Sequence, residues 1–351
     1  MTESKDLTKY FDQLLNNSFD ENTSYLDLLK GFTSRRILIT GAAGSIGSEI
    51  SKKIISYKPE SLGLLDINES ELNNLILDLT EQTKIPVHLF LCDVSRRNSL
   101  QSIFNNFKPE LVFHVAAYKH IHILEDFPDE AIRVNVLGTY NVASLSGEFN
   151  ADKFVFISTD KAVNPISKMG QSKKAAEAIL LKLGKFYKTN FIIIRLCNVL
   201  GSRGSVSEIF IRQILKGGPV TLTHPDMKRY FITLPQAAIF ALKAAEYGRN
   251  GCLFIPRLNK PIKIAELLNE LINKFNPSVE PQIEVITTGF RKGEKLIEEI
   301  LTRDEIDIMT SVDGLLKIEP YKINQDYFEF FSNFLNVEDD EYLDIKNKIL
   351  N

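Results

Sequence analysis

Cysteine is scarce in this chain, and its three copies are not arranged for chemistry. Cys92, Cys197 and Cys252 lie in or beside apolar, strand-like segments with no C-x-x-C spacing, so buried reduced thiols are expected rather than disulfides or a metal site. The five histidines form no ligand pattern, although His120 and His122 stand two apart. No apolar run reaches the ~20 residues that a bilayer span requires, and the start does not resemble a signal peptide. A cytoplasmic protein without a membrane span is therefore expected. A dominant sign of charge is also missing. Lys and Arg number 42 against 45 Asp and Glu, a formal net charge of −3 that gives no sign of a nucleic-acid or membrane-surface binder.

What is present is an ordinary globular composition, 44% apolar and 25% charged over 351 residues, enough to bury a large core. Largely apolar runs recur at Arg36 to Ile39, Leu62 to Asp66, Val87 to Cys92, Leu111 to Val115, Phe154 to Ile157 and Phe191 to Leu196. Amphipathic helical patterns separate them, first over Ser45 to Tyr57 and then over 70–82. Strands of that kind, alternating with helices, belong to a parallel sheet buried on both faces. The expected fold class is α/β, a doubly wound parallel sheet of the Rossmann type with a smaller C-terminal lobe. Residues 35–200 form the expected nucleotide-binding domain. Residues 201–322 form a substrate lobe interleaved with the sheet, with helices over 235–247, 262–274 and 293–302. Residues 1–34 read as a helical extension packing on the body or on a neighbouring subunit, and 323–351 as a helical tail.

Thr40-Gly41-Ala42-Ala43-Gly44-Ser45-Ile46-Gly47 follows the first strand directly and opens the first helix of that unit. Glycines there permit a tight turn, and the helix start offers N–H groups to a pyrophosphate, so Gly41, Ala43, Gly44, Ser45, Ile46 and Gly47 are cofactor candidates. Asp66 ends the second strand, where an acid can bind ribose hydroxyls and repel a 2′-phosphate, which favours NAD over NADP. Asp93 and Val94 are placed to flank adenine, and Ala116 and Ala117 leave room for close approach. Asn135 is expected on a helix behind the site, bonded to backbone near the fourth strand.

Ser158-Thr159-Asp160-Lys161 stands at the carboxyl end of a buried strand, where ligands bind in open α/β sheets. A hydroxyl, a carboxylate and an amine concentrated there can move protons. Further along, Met169-Gly170-Gln171-Ser172-Lys173 opens the next helix, and Lys173 is placed to hold a cofactor ribose.

TGAAGSIG, HVAAYKHIHILE, VNVLGT, ISTDKAVNP, MGQSK, NVLGSRGSV, THPDMKRYFIT and TGFRKGEKLIEEI occur in this order. Over about residues 30 to 305 the chain thereby resembles the bacterial nucleotide-sugar 4,6-dehydratases of surface-glycan biosynthesis. These are extended short-chain dehydrogenases that act mostly on UDP-N-acetylglucosamine. TDKAVNP and GEKLxEE separate this group from ordinary epimerases. Long members carry membrane helices before this region, and the chain resembles a soluble version without them. The resemblance implies a redox-neutral reaction with tightly held NAD: oxidation at sugar carbon 4, loss of the carbon 5 proton and the 6-hydroxyl, and reduction at carbon 6. It implies Asp160 as general acid, Lys161 as the base at carbon 5, and Thr159 as the contact to the carbon 4 hydroxyl. Lys173 would hold the nicotinamide ribose.

Short-chain dehydrogenases usually carry Tyr-x-x-x-Lys where this chain has Met169 and Lys173. Methionine cannot move a proton, so the first-step base is expected to be Asp160 acting through Thr159 or a water. The resemblance implies retention of configuration at carbon 5. On the substrate side Lys119, His120, Met169, Asn198, Ser205 and Val206 are expected near the sugar. Arg229 and Arg291 are candidates for the diphosphate, whose oxygens suit an arginine fork, and Glu294 for the nucleotide ribose. A nucleotide sugar is the expected substrate, with UDP favoured over GDP, and a homo-oligomer the expected assembly. A 4-epimerase or simple dehydrogenase, and a non-catalytic nucleotide-sugar binder, are the competing readings.

Overall fold

The structure is a computed structural model that describes residues 2–15 (backbone alone for 2–6), 31–276, 283–319, 321 and 322. The tail expected over 323–351 and residues 16–30 of the expected N-terminal extension lie outside them. After α1 (Thr2–Leu14), strands and helices alternate as β1 (Arg36–Thr40), α2 (Ser45–Ile54), β2 (Ser61–Asp66), α3 (Glu69–Thr80), β3 (Val87–Leu91) and α4 (Arg97–Phe107). The alternation continues through β4 (Leu111–His114), α5 (Ile121–Asp126), α6 (Gly138–Glu148), β5 (Lys153–Thr159), α7 (Lys168–Leu183) and β6 (Asn190–Leu196). The later elements are β7 (Asn198–Leu200), α8 (Val206–Leu215), β8 (Val220–Leu222), β9 (Lys228–Arg229), β10 (Phe231–Thr233), α9 (Leu234–Tyr247) and β11 (Cys252–Pro256). Then come β12 (Ile262–Lys263), α10 (Ile264–Phe275), β13 (Val285–Thr287), α11 (Arg303–Asp307), β14 (Met309–Val312) and β15 (Leu315–Ile318).

Nine strands form one sheet in the order β14-β15-β11-β6-β5-β4-β1-β2-β3. The run from β3 to β11 is parallel, and β15 and β14 add antiparallel. Strand order reverses between β1 and β4, the switch point at which such sheets open a crevice. Both faces are covered, and the pleat decides which side chain goes where. Ile37 and Ile39 join Ile192 and Ile194 on one face under α2, α3 and α9. Leu38 joins Val112, Phe154 and Phe156 on the other, under α4, α6 and α7. Burying each such side chain contributes about 1.5–3 kcal/mol, which is why these strands read as unbroken apolar runs. The three thiols are free and buried, as expected from their surroundings.

Two expectations need correction. β3 is not buried on both faces: as the outermost strand it leaves Leu89 and Leu91 exposed. The C-terminal part interleaves with the sheet: α9, β11, β14 and β15 return to the main sheet layers. Only α8, β8, α10 and neighbouring residues build a separate small core, and Phe11 of α1 packs into it. The helix expected over 293–302 does not form, and a short helix starts at Arg303 instead. Its carbonyls are taken by other donors. The N–H of Lys228 donates to Leu296 O at 3.0 Å, and the Arg229 guanidinium donates to the carbonyls of Lys295 and Leu296.

Candidate active site

At the carboxyl ends of the central strands the switch point opens into a cavity of about 820 Å³. One end is built by the β1–α2 turn. Gly41 takes φ +66°, and a Cβ there would lie 2.6 Å from Ala116 N; at Gly47 it would lie 2.1 Å from Gly41 O. The glycines therefore let the turn close against β4 and against its own helix. Gly44 caps α2 without any side-chain cap bond, so the helix's first N–H groups are left to a ligand. Gly41, Ala43, Gly44, Ser45 and Ile46 line the cavity, whereas Gly47 packs behind it.

Asp66 lines the same end, its carboxylate accepting from the N–H groups of Ala43 (2.9 Å) and Asn68 (3.0 Å). The following helix is capped by Asn68 and not by Asp66. Asp93, Val94, Ala116 and Ala117 line the adjoining wall, with Asp93 held by Arg133 at 2.6 Å. Asn135 stands behind it as expected, bonding Tyr118 N at 2.8 Å and Tyr118 O at 3.0 Å. A helix N-terminus without a side-chain cap, an acid at the end of β2 and small wall residues fit a dinucleotide.

The other end is built by β5 and the turn that follows it. Thr159 Oγ1 donates to Asp160 Oδ1 at 2.9 Å and caps the turn by accepting from Lys161 N. Lys161 Nζ donates to the same Asp160 oxygen at 3.0 Å and to Asn198 Oδ1 at 3.3 Å. Asn198 is fixed in turn by its bond to Tyr230 O. Thr159 and Lys161 face the cavity; Asp160 does not. It is 2% exposed behind Lys161, and reaches the cavity only through its two bonded neighbours.

Lys173 lines the cavity from α7, with Nζ donating to Ile157 O at 2.6 Å and lying 4.0 Å over the Phe156 ring. Burial pushes its ammonium down to about 7, with Glu177 pulling the other way. Met169, one turn earlier on α7, packs on Leu124 and Ala131 and shows the cavity an apolar surface.

Lys119, His120, Ser205 and Val206 also line the cavity, and burial lowers the pKa of both Lys119 and His120. Asn198 lines it too, whereas Arg229, Arg291 and Glu294 do not. Arg229 is buried, its donors spent on the carbonyls of Lys228, Lys295 and Leu296, so a diphosphate would find no free fork there. Arg291 is exposed on the loop after β13, and Glu294 accepts from its N–H, so neither lines the cavity.

Two features escaped the sequence reading. Arg203 clasps the glycine turn: its N–H donates to Ser45 Oγ, and its guanidinium donates to Ala43 O and Glu71. Lys119 Nζ holds the same residue by its carbonyl at 2.6 Å. The only sequence signal was an arginine among small residues in GSRGS. On the far side of β5, Ser158, Lys174, Glu177, Arg195, Glu305 and Tyr321 form a buried polar network. No local pattern announces it, because its members span more than 160 positions. Among the described residues no cluster of metal-ligating side chains occurs, and no helix is long and apolar enough to cross a membrane.

Residues 37–320 match the family described as polysaccharide biosynthesis protein. The chain is 40% identical over 280 residues to the probable polysaccharide biosynthesis protein EpsC of Bacillus subtilis, covering 79% of this chain and 46% of that protein. It is 40% identical over 311 residues to the capsular polysaccharide biosynthesis protein CapD of Staphylococcus aureus, covering 86% of this chain and 52% of that protein. The chain thus spans about half the length of these curated relatives. Among solved structures, Pen from Bacillus thuringiensis superimposes with a TM-score of 0.78 at 28% identity, covering 82% of this chain and 88% of that one.

Proposed function

The chain belongs to the polysaccharide biosynthesis protein family, and from that premise we propose that it is an NAD-dependent 4,6-dehydratase of UDP-N-acetylglucosamine. The product would be the nucleotide-linked 4-keto-6-deoxy sugar. One observation carries the reading: Thr159, Asp160 and Lys161 are bonded to one another at the cavity, while Met169 holds the position a catalytic tyrosine would take. Without the tyrosine, proton traffic falls to the β5 cluster. NAD, when bound at the glycine turn, supplies the hydrogen acceptor and donor that makes the reaction internally redox-neutral.

The remaining work belongs to side chains. Thr159 Oγ1, bonded to Asp160, takes the proton of the carbon 4 hydroxyl and passes it to the carboxylate. Once carbon 4 is a ketone the proton on carbon 5 is acidic, and Lys161, as the free amine, removes it. Asp160 then returns its proton through Thr159 or Lys161 to the departing 6-hydroxyl, which leaves as water. Lys173 holds the nicotinamide ribose, and Arg203 clasps the turn over the pyrophosphate. With one base on one wall the proton returns to the face it left, so configuration at carbon 5 is retained.

The test is proton NMR of the protein with UDP-N-acetylglucosamine in deuterated water without added cofactor. A new methyl signal with deuterium at carbon 5 is the expected result, and the ring couplings report the stereochemistry. Inversion at carbon 4 with no methyl signal would make the protein a 4-epimerase. No turnover, even with NAD supplied, would overturn the substrate and direct the assay to the GDP sugar.

A further inference from the structure

Residues 198–205 run from β7 to the start of α8, and all but Gly201 line the cavity. Their first part belongs to the small core: Asn198 pairs with Phe231 of β10, and Leu200 packs in the same cluster as Phe11 and Phe210. Gly201 and Gly204, at φ +72° and +67°, then bracket Ser202 and Arg203. From there the segment is fastened to two parts of the nucleotide-binding unit. On the glycine turn, Ser45 Oγ accepts from Arg203 N at 3.0 Å and Ala43 O accepts from the guanidinium, which also donates to Glu71 at 2.6 Å. After β4, Lys119 Nζ donates to Arg203 O at 2.6 Å. A Cβ on Gly204 would lie 2.7 Å from His120 Cε1, so the segment also lies close against the residue after Lys119. Lys119 was expected beside the sugar, but its bond among the described residues goes to this carbonyl. Burial lowers its pKa; Glu208, which accepts from Gly204 N, opposes the fall.

We propose that Lys119 is a positioning residue for the cofactor, tying the Arg203 carbonyl so that residues 201–205 form a strap at the glycine turn that must lift before NAD enters or leaves. The proposal needs NAD at the turn and rests on nothing about the sugar. Lys119 holds the backbone of the strap, whereas the Arg203 side chain holds the turn and Glu71. The two are separate attachments of one segment, so losing either weakens closure and leaves the other in place. Phe11, packed below with Leu200 and 3.5 Å from where a Cβ on Gly201 would stand, leaves the strap to lift only away from the small core. Its two glycines sit where such a movement needs backbone freedom.

The rate of NAD release from the loaded full chain tests this without any sugar, freed NAD being scavenged by a second dehydrogenase whose NADH absorbance is followed. Lys119→Met is expected to speed release about tenfold, with unfolding of the cofactor-free chain little changed. An unchanged rate would overturn the proposal. A disulfide separates the strap from a direct contact with the cofactor. Ser45→Cys with Arg203→Cys places two thiols where Ser45 Oγ and Arg203 N now meet. Oxidised in the loaded chain, this crosslink is expected to slow release by about tenfold or more relative to its reduced form, and to erase the effect of Lys119→Met. If Lys119→Met speeds release equally from the oxidised chain, Lys119 touches the cofactor directly and the positioning role is overturned. Release indifferent to the crosslink, or a disulfide that does not form in the loaded chain, would remove the strap. A failed dehydratase assay leaves each of these arms standing, and their failure leaves the dehydratase reading standing.

Discussion

Ser158 and Thr159 are neighbours on β5, yet they serve two polar assemblies of opposite design. Ser158 donates at 2.6 Å into the network behind the strand, where Arg195 forks onto both Glu177 and Glu305 and the Tyr321 hydroxyl joins Lys174, Arg195 and Glu177. No buried side-chain oxygen or nitrogen in it lacks a partner. Thr159 opens the cavity-side cluster, where Asp160 and nearby Glu298 each keep a buried oxygen without a partner among the described residues. Saturated buried networks rigidify a fold, whereas unsatisfied groups remain available to a ligand or a proton. The first assembly holds β5, α7 and the C-terminal segment in register so that the second can stay incomplete.

The contrast can be broken in several ways. Lys161→Met should lower turnover on the nucleotide sugar by about 10²- to 10⁴-fold, measured as kcat, and should destabilise the fold less than any charge change in the network. Arg195→Met leaves Glu177 and Glu305 buried without their main cation. An unfolding free energy lower by about 3–5 kcal/mol in a urea titration is expected. A larger loss from Lys161→Met would reverse the assignment of the two assemblies.

Acid should act on the same network. Burial works against the Glu177 anion, but Arg195 and Lys174, with hydrogen bonds from Arg195 and Ser158, outweigh it and hold the pKa at about 2 against an ordinary 4.5. A folded-state pKa below the unfolded one gives stability that is fully present above about 4.5 and is lost as pH falls toward 2. The loss should be about 3 kcal/mol, read from urea midpoints across that window, and much smaller in Arg195→Met. Tyr321→Phe removes one hydroxyl from three partners and should cost about 1–3 kcal/mol with kcat little changed. Arg203→Ala should give the smallest effect, a roughly tenfold faster release of NAD with unfolding of the cofactor-free chain little changed, since it loses only the guanidinium bonds to Ala43 O and to Glu71 at the start of α3 and keeps the backbone bond to Ser45.

How legible each part was follows from the range of its interactions. The glycine turn and the Thr159–Lys161 cluster were readable because their bonds join residues a few positions apart at strand ends. Arg229 and the 293–302 segment were misread for one shared reason. Amphipathic spacing suggested a helix and a lone arginine suggested a phosphate site, but the arginine takes that segment's carbonyls across more than 60 positions. Asp160 was expected as general acid, acting in the first step through Thr159 or a water. Its side chain lies behind Lys161 because the turn after β5 directs consecutive side chains to different sides.

By itself the sequence determined the alternation of strands and helices, the parallel sheet and the edge at which the glycine turn and the polar side chains meet. Those are consequences of periodicity and of chain geometry over a few residues. Only the tertiary structure decided which charges pair with each other and which stay available. That choice depends on burial and on partners far away in the chain, and desolvation makes each such pairing worth more than any local preference.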